Sequence, residues 1–152
     1  MSKLDNQGIP FRLLGRDIVF FDGQCVLCHR MMGQLLKIDK QQHFLLCAQQ
    51  TEMGQLILGR HGINVDDLST VYLVTDCANE NEKVLTQSDA FIYVLSKTKE
   101  YKGLASLIRK IFPRPLLNFG YKIIASNRYR LFGKKNEFCS IVSPEDRGRI
   151  IA

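Results

Sequence analysis

A short buried strand that leads directly into a cysteine-bearing helix is the feature that most restricts the fold of this chain. Residues 17–21 form an apolar, β-branched and aromatic run that ends at Asp22-Gly23, which predicts a strand followed by a turn. From Cys28 to about Lys40, apolar residues recur near the helical period and predict an amphipathic helix. A strand and helix in this order predict the first half of a β-α-β unit.

The remaining pattern completes an α/β fold. Apolar runs and capping residues predict, in order, a strand at 44–47, a helix from Thr51 to Gly62, strands at 71–74 and 84–85, and a helix capped by Ser88. The order β-α-β-α-β-β-α is that of the thioredoxin core, with helices on both faces of a mixed sheet.

The C-terminal third predicts further helices. Two apolar helical segments flank Pro113-Arg-Pro115, and the second runs from Leu116 to about Ala125. We therefore expect one domain over residues 1–152, with a thioredoxin-like core at about 17–99 and a basic helical extension at about 100–140.

The two cysteines of Cys25-Val-Leu-Cys28 carry the predicted chemistry. Cys25 falls near the N-terminus of the first helix, where unpaired backbone N–H groups and the helix dipole favour a thiolate. Cys28 lies one turn further on, so it can attack a mixed disulfide at Cys25 and release the reduced partner. The pair predicts a nucleophile and a resolving thiol, whereas the alternative is two small buried residues without chemistry.

The neighbours of the pair indicate how it is tuned. The intervening Val-Leu offers the thiolate no charge or donor, which argues against a strong oxidant. Asp22, the third site residue, could accept a thiol proton or cap the turn, and we favour the cap. His29 completes the c-type haem attachment pattern, but that chemistry requires export. We interpret His29 as a helix-surface residue with mild positive character near the thiols.

Several segments resemble one family. Residues 21–28, Phe-Asp-Gly-Gln-Cys-Val-Leu-Cys, are similar to the opening signature of the DCC family of predicted thiol-disulfide oxidoreductases. Residues 87–90, 113–115 and 127–133 resemble its later motifs, so the similarity covers about 17 to 139.

This resemblance implies a thioredoxin-like fold and redox chemistry at Cys25 and Cys28. The substrate would be a protein or small-molecule thiol or disulfide, with no cofactor and with a recycling reductase that the sequence does not identify. Ser69 and Thr70 stand where thioredoxins keep a cis-proline, which questions the usual docking of peptide substrates.

A zinc site is the main chemical alternative. His43, Cys47, Cys77 and Cys139 could complete a tetrahedral set with the cysteine pair, but no second paired spacing exists. On this hypothesis the protein is a non-catalytic binding module whose cysteine pair is a metal clip or a remnant.

The charge and hydropathy of the chain limit the kinds of partner that it can bind. The net charge is +6, and residues 101–136 contain nine basic residues and no acidic one. This asymmetry suggests contact with an anionic partner or surface, although a solvated basic face would look the same.

The N-terminus lacks the apolar run of a secretory signal and no stretch is apolar enough to span a membrane. We expect a cytoplasmic protein.

The segment Asn127-Arg-Tyr-Arg130 could bind an anion or fix the extension to the core.

Overall fold

The first predicted strand is the centre of a five-stranded sheet in the structure, a computed structural model that describes residues 5–134 and 143–151. β1 (Asp17–Phe21) pairs in parallel with β2 (Phe44–Ala48) and antiparallel with β3 (Tyr72–Thr75). β4 (Lys83–Thr86) lies beyond β3, and β5 (Ile150–Ile151) pairs in parallel with β2. Every residue of β1 is buried because strands flank it and helices cover both faces.

The helices follow the predicted order. Their bounds are α1 (Val26–Ile38), α2 (Glu52–Arg60), α3 (Gln87–Lys97), α4 (Lys102–Ile111) and α5 (Arg114–Phe132), and short 3-10 turns lie at Phe11–Leu13 and Arg147–Arg149. The α/β class, the mixed thioredoxin-like sheet and the helical C-terminal part are therefore confirmed. No helix in the described residues is long and apolar enough to cross a membrane.

Two apolar clusters lie on opposite faces of the sheet. Alternate residues of β1 divide between them, with Val19 and Phe21 in one and Ile18 and Phe20 in the other, as the two-residue period of a strand requires. The first cluster contains Cys25 and Cys28 with buried residues of α1 and α3. The second contains α2 and the N-terminal arm. The cysteine pair thus belongs to the α1–α3 layer.

The predicted cap of α3 is wrong. Thr86 occupies the N-cap position, and Ser88 lies inside the helix, where its hydroxyl donates to Asn118 Oδ1 of α5. β4 runs into α3 without an intervening loop, so the helix begins earlier than its cap chemistry predicts. Ser88 instead connects α3 to the C-terminal extension.

The C-terminal elements are longer and more numerous than the pattern predicts. α5 continues past Ala125 to Phe132 because nothing breaks the helix before Gly133, whose φ of 79° suits glycine. β5 is too short for periodicity to predict. Arg149, just before β5, pairs with the buried Asp39 at the end of α1.

Gly54 lets α2 lie directly against the end of β2. A Cβ atom at Gly54 would be 2.6 Å from the Ala48 carbonyl oxygen and 2.8 Å from that of Gln49, whereas a Cβ at Gly59 of the same helix would meet nothing within 4 Å. Backbone atoms cannot yield cheaply to such a contact. The approach also fixes the segment that carries Gln49 and Gln50.

We expect the two glycines of α2 to respond oppositely to alanine. Gly54→Ala should lower the free energy of unfolding by about 1–3 kcal/mol through overpacking. Gly59→Ala should raise it by about 0.5–1 kcal/mol, because alanine loses less backbone entropy in a helix. Urea unfolding of both variants measures the difference. Stabilisation by Gly54→Ala would contradict the close approach.

Candidate redox site

Cys25 is the N-cap residue of α1. β1 ends at Phe21, and the turn closes through a hydrogen bond from the Cys25 N–H to the Asp22 carbonyl oxygen (3.2 Å). Cys25 has an extended backbone, and its Sγ accepts the backbone N–H of Cys28 at 3.3 Å. Its sulfur therefore occupies the position of a capping oxygen. The donated N–H and the helix dipole both stabilise negative charge on this sulfur.

Cys28 lies in the first turn of α1 and is 4% exposed. The pKa of the Cys28 thiol is raised from 9.0 to about 12, mainly by burial and further by the hydrogen bond and charge of Cys25. The Arg128 charge acts in the opposite direction, while that of Asp22 raises the pKa further. Cys28 thus holds its proton at neutral pH.

Asp22 lies in the turn before Cys25 and is fully buried. Its Oδ1 accepts hydrogen bonds from the Gln24 backbone N–H (2.9 Å) and from Gln50 Nε2 (2.7 Å). Its Oδ2 forms an ion pair with an Arg128 guanidinium nitrogen at 3.2 Å. The carboxylate caps the turn and joins it to both β2 and α5.

Arg128 belongs to a segment that the sequence analysis identifies, but its contact with Asp22 is not predicted from the sequence. Its guanidinium is 4% exposed, donates also to the Leu68 carbonyl, and stacks 5.0 Å from the centre of the Tyr129 ring. It lies 106 positions from Asp22, and no local pattern links the two. Of the two interpretations of residues 127–130, Arg128 makes the contact that fixes the extension to the core, whereas Arg130 is exposed.

The end of α5 covers Cys25. The Gly133 carbonyl accepts the Val26 N–H at 3.4 Å, and Lys134 forms an antiparallel bridge with Cys25. The Lys134 ammonium lies 4.6 Å from the centre of the Tyr129 ring, which holds this segment beside α5. As a result, Cys25 is 0% exposed.

The loop before β3, where the sequence lacks a proline, is held by α5. Tyr121 Oη accepts the Val71 backbone N–H at 2.8 Å, and Gln49 Nε2 donates to the Thr70 carbonyl oxygen at 2.7 Å. The Leu68 carbonyl accepts from Arg128. Polar backbone groups of this loop are thus bound within the protein, and the difference from thioredoxins in peptide docking stays a prediction.

The prediction for His29 is wrong. The side chain is 0% exposed rather than on the helix surface. Its Nε2 donates to the Gly23 carbonyl oxygen at 2.5 Å, and its ring meets that of Phe21 edge-on. The helical period cannot distinguish a buried histidine facing a turn from a surface one. His29 fixes the turn that places Cys25.

The predicted zinc ligands that the structure describes make other contacts, and His43 Nε2 lies 2.7 Å from Asp17 Oδ2. Cys47 and Cys77 belong to the apolar cluster on the other face of the sheet, and Cys139 lies outside the described residues. Among the residues that the structure describes, no group of three or more His, Cys, Asp or Glu side chains is placed to hold a metal ion.

Residues 19–134, which are well over half of the chain, match the family model of the DCC1-like thiol-disulfide oxidoreductases. The chain belongs to this family. The match runs from β1 to the segment that covers Cys25, so the family region contains both the core and α4–α5. Membership supports a general thiol-disulfide redox function.

Two similar proteins support the assignment of this chain to the DCC family. YuxK of Bacillus subtilis, an uncharacterised protein, is 31% identical over 148 residues, which is 97% of this chain and 99% of YuxK. A DCC family protein of Arabidopsis thaliana, described as chloroplastic, is 29% identical over 80% of this chain and 67% of its own length. No solved structure matches significantly. The cytoplasmic location stays a prediction.

Removing Arg128 should destabilise the site. Arg128→Met leaves the Asp22 carboxylate buried without its charged partner, and we expect a loss of about 3–5 kcal/mol in the free energy of unfolding. Arg130→Met, on the exposed side of the same helix, should change it by less than about 0.5 kcal/mol. Urea denaturation of both variants tests this, and equal effects would contradict a structural role for the buried pair.

The Cys28 thiol should make stability fall at alkaline pH. Below its ordinary pKa of 9.0 the thiol is protonated in both folded and unfolded chains, so its contribution is complete. As pH rises from 9.0 towards about 12, the unfolded chain loses the proton first and stability decreases. In urea unfolding under reducing conditions, Cys28→Ala should lose less stability than wild type between these limits. An equal fall in the free energy of unfolding with pH in both proteins would contradict the raised pKa.

Proposed function

We propose that this protein is a dithiol-disulfide oxidoreductase in which Cys25 is the nucleophile and Cys28 the resolving thiol. The observation that carries the proposal is the Cys25 sulfur at the N-terminus of α1, accepting the Cys28 N–H. The family match and the position of the pair between β1 and α1 add support. The substrate is a protein or small-molecule disulfide or thiol.

The reaction requires no cofactor beyond the two sulfurs. The Cys25 thiolate attacks one sulfur of a substrate disulfide, whose S–S bond breaks as the other sulfur leaves and takes a proton. Cys28 then gives up its proton and attacks Cys25 Sγ, which closes the Cys25–Cys28 disulfide and releases the second substrate thiolate. The substrate gains two electrons and the protein loses two. A recycling reductase restores the dithiol, and the reverse sequence oxidises a substrate dithiol.

The different settings of the two thiols fit these roles. Negative charge is favoured at the helix N-terminus, where Cys25 lies, whereas burial keeps Cys28 protonated until the mixed disulfide forms. Asp22 acts as a positioning residue that holds the turn and Arg128 together. A second role for Asp22 is to accept the Cys28 proton, because its carboxylate has about four acceptor positions and three are occupied by Gln24, Gln50 and Arg128.

Substrate access requires Gly133 and Lys134 to separate from Cys25. One backbone hydrogen bond of 3.4 Å and the bridge to Lys134 hold this segment against the start of α1. The Val26–Gly133 bond is at the long end of the hydrogen-bond range. We further propose that residues 101–136 contact an anionic surface through the exposed cations of α4 and α5.

A redox titration tests the proposal. Wild type is equilibrated in glutathione or dithiothreitol buffers, alkylated and analysed by peptide mass spectrometry beside Cys25→Ser, Cys28→Ser and Cys47→Ser. We expect a reversible Cys25–Cys28 disulfide in wild type and Cys47→Ser. With a disulfide substrate, the mixed disulfide should accumulate at Cys25 in Cys28→Ser.

Two results would contradict this function. The first is a cysteine pair that does not oxidise at any potential. The second is a pair that is alkylated only after a chelator is added, which would favour the binding module with a metal clip.

The Asp22→Asn variant separates the two roles of Asp22. A positioning role predicts slower disulfide closure at every pH, whereas a proton acceptor predicts a changed pH profile of closure.

A further inference from the structure

The outer faces of α4 and α5 hold most of the exposed large apolar side chains of the protein. Ten of the fourteen such residues in the described part of the chain lie between Leu104 and Phe132. Scattered exposed apolar residues need no explanation, but a concentration in one region marks an interaction surface.

The apolar residues form a stripe on each helix. In α4 the stripe is Leu104, Leu107 and Ile111, which are 45%, 52% and 59% exposed. Their spacing of three and four residues places them on one helix face. Ala105 and Ile108 lie on the adjacent face and pack against α3. The stripe is therefore separate from the residues that fix α4 to the core.

α5 repeats this arrangement. Leu116, Phe119 and Ile123 have the same spacing and are 51%, 62% and 49% exposed. The opposite face carries Tyr121 and Arg128, which bind the loop before β3 and Asp22. Since the inner faces of both helices meet α3, both stripes point away from it. We call these six residues and the cations beside them the basic apolar surface.

The charge of this surface has one sign. Its cations are Lys110, Lys122 and Arg130, which lie on or beside the stripes of their helices and are all exposed. None of them has an ion-pair partner among the described residues. Residues 101–136 contain no acidic residue.

We propose that the basic apolar surface docks on an anionic lipid bilayer, with the two helices lying in the membrane interface. Apolar side chains that enter the acyl boundary and basic side chains that meet lipid phosphates are the two features of interfacial helices. A nucleic acid would use the cations but gain little from Leu and Ile. A second copy of this chain would bring like charges together, which its net charge of +6 opposes.

A single tryptophan reports the docking directly, because the chain contains none. Phe119→Trp places the reporter in the α5 stripe, and Phe11→Trp is the matched control at an exposed position outside the surface (62% and 53% exposed). Vesicles of phosphatidylcholine with phosphatidylglycerol should shift the Phe119→Trp emission to the blue. Pure phosphatidylcholine should not, and the Phe11→Trp emission should stay unchanged.

Substitutions of the cations and of the apolar residues of this surface complete the test. In vesicle co-sedimentation, Lys122→Gln with Arg130→Gln should weaken binding by about fivefold per charge at low salt, whereas Lys37→Gln with Lys83→Gln should not. Leu107→Ser with Ile123→Ser should weaken it by about tenfold or more. Wild-type binding should fall when salt is raised from about 0.1 M to about 1 M.

Four results would overturn the proposal. They are no blue shift with anionic vesicles, unchanged vesicle binding after Leu107→Ser with Ile123→Ser, equally tight binding to a DNA duplex, and a stable dimer that these serines dissolve. Circular dichroism of each variant confirms that it is folded. The cysteine variants should bind vesicles as wild type does, so the redox and membrane proposals fail independently.

Discussion

The site depends on a buried ion pair between Asp22 and Arg128. Two charges removed from water need additional hydrogen bonds to offset their desolvation, and here Gln24, Gln50 and Leu68 supply further partners, although Arg128 Nε has none among the described residues. The pair joins the turn before Cys25, the end of β2, the loop before β3 and α5. The helical extension therefore helps to hold the turn that precedes Cys25, and the family match likewise continues to residue 134.

The same packing gives the two cysteines different environments. Both cysteines lie in the apolar α1–α3 layer, but only Cys25 takes the capping position, where backbone dipoles stabilise charge, whereas the pKa of Cys28 is raised. The covering segment at Gly133 and Lys134 shields Cys25 from solvent. In the proposed function, a substrate must displace this cover before it reaches the Cys25 sulfur, so both access and thiol chemistry would select the substrate.

α5 has two faces with separate consequences. Its inner face carries Tyr121 and Arg128 to the site, and its outer face carries the apolar stripe and exposed cations. A partner bound to the outer face would therefore lie one helix away from the cysteine pair. The covering segment directly follows α5, so such a partner would also be close to the access route of Cys25.

The sequence by itself determined the parts of this protein that short-range physics controls. The buried strand at 17–21, the turn at Asp22 and the cysteine at the helix N-terminus follow from hydrophobic periodicity and capping. Only the tertiary structure decided that Arg128 reaches Asp22, that His29 is buried and that Ser88 contacts α5 instead of capping α3. The contacts of Arg128 and Ser88 join residues 106 and 30 positions apart, and the burial of His29 depends on how the turn at Gly23 packs against α1, which local patterns do not record. Likewise, the sequence determined that α4 and α5 are basic and apolar, but packing against α3 decided which apolar residues remain exposed.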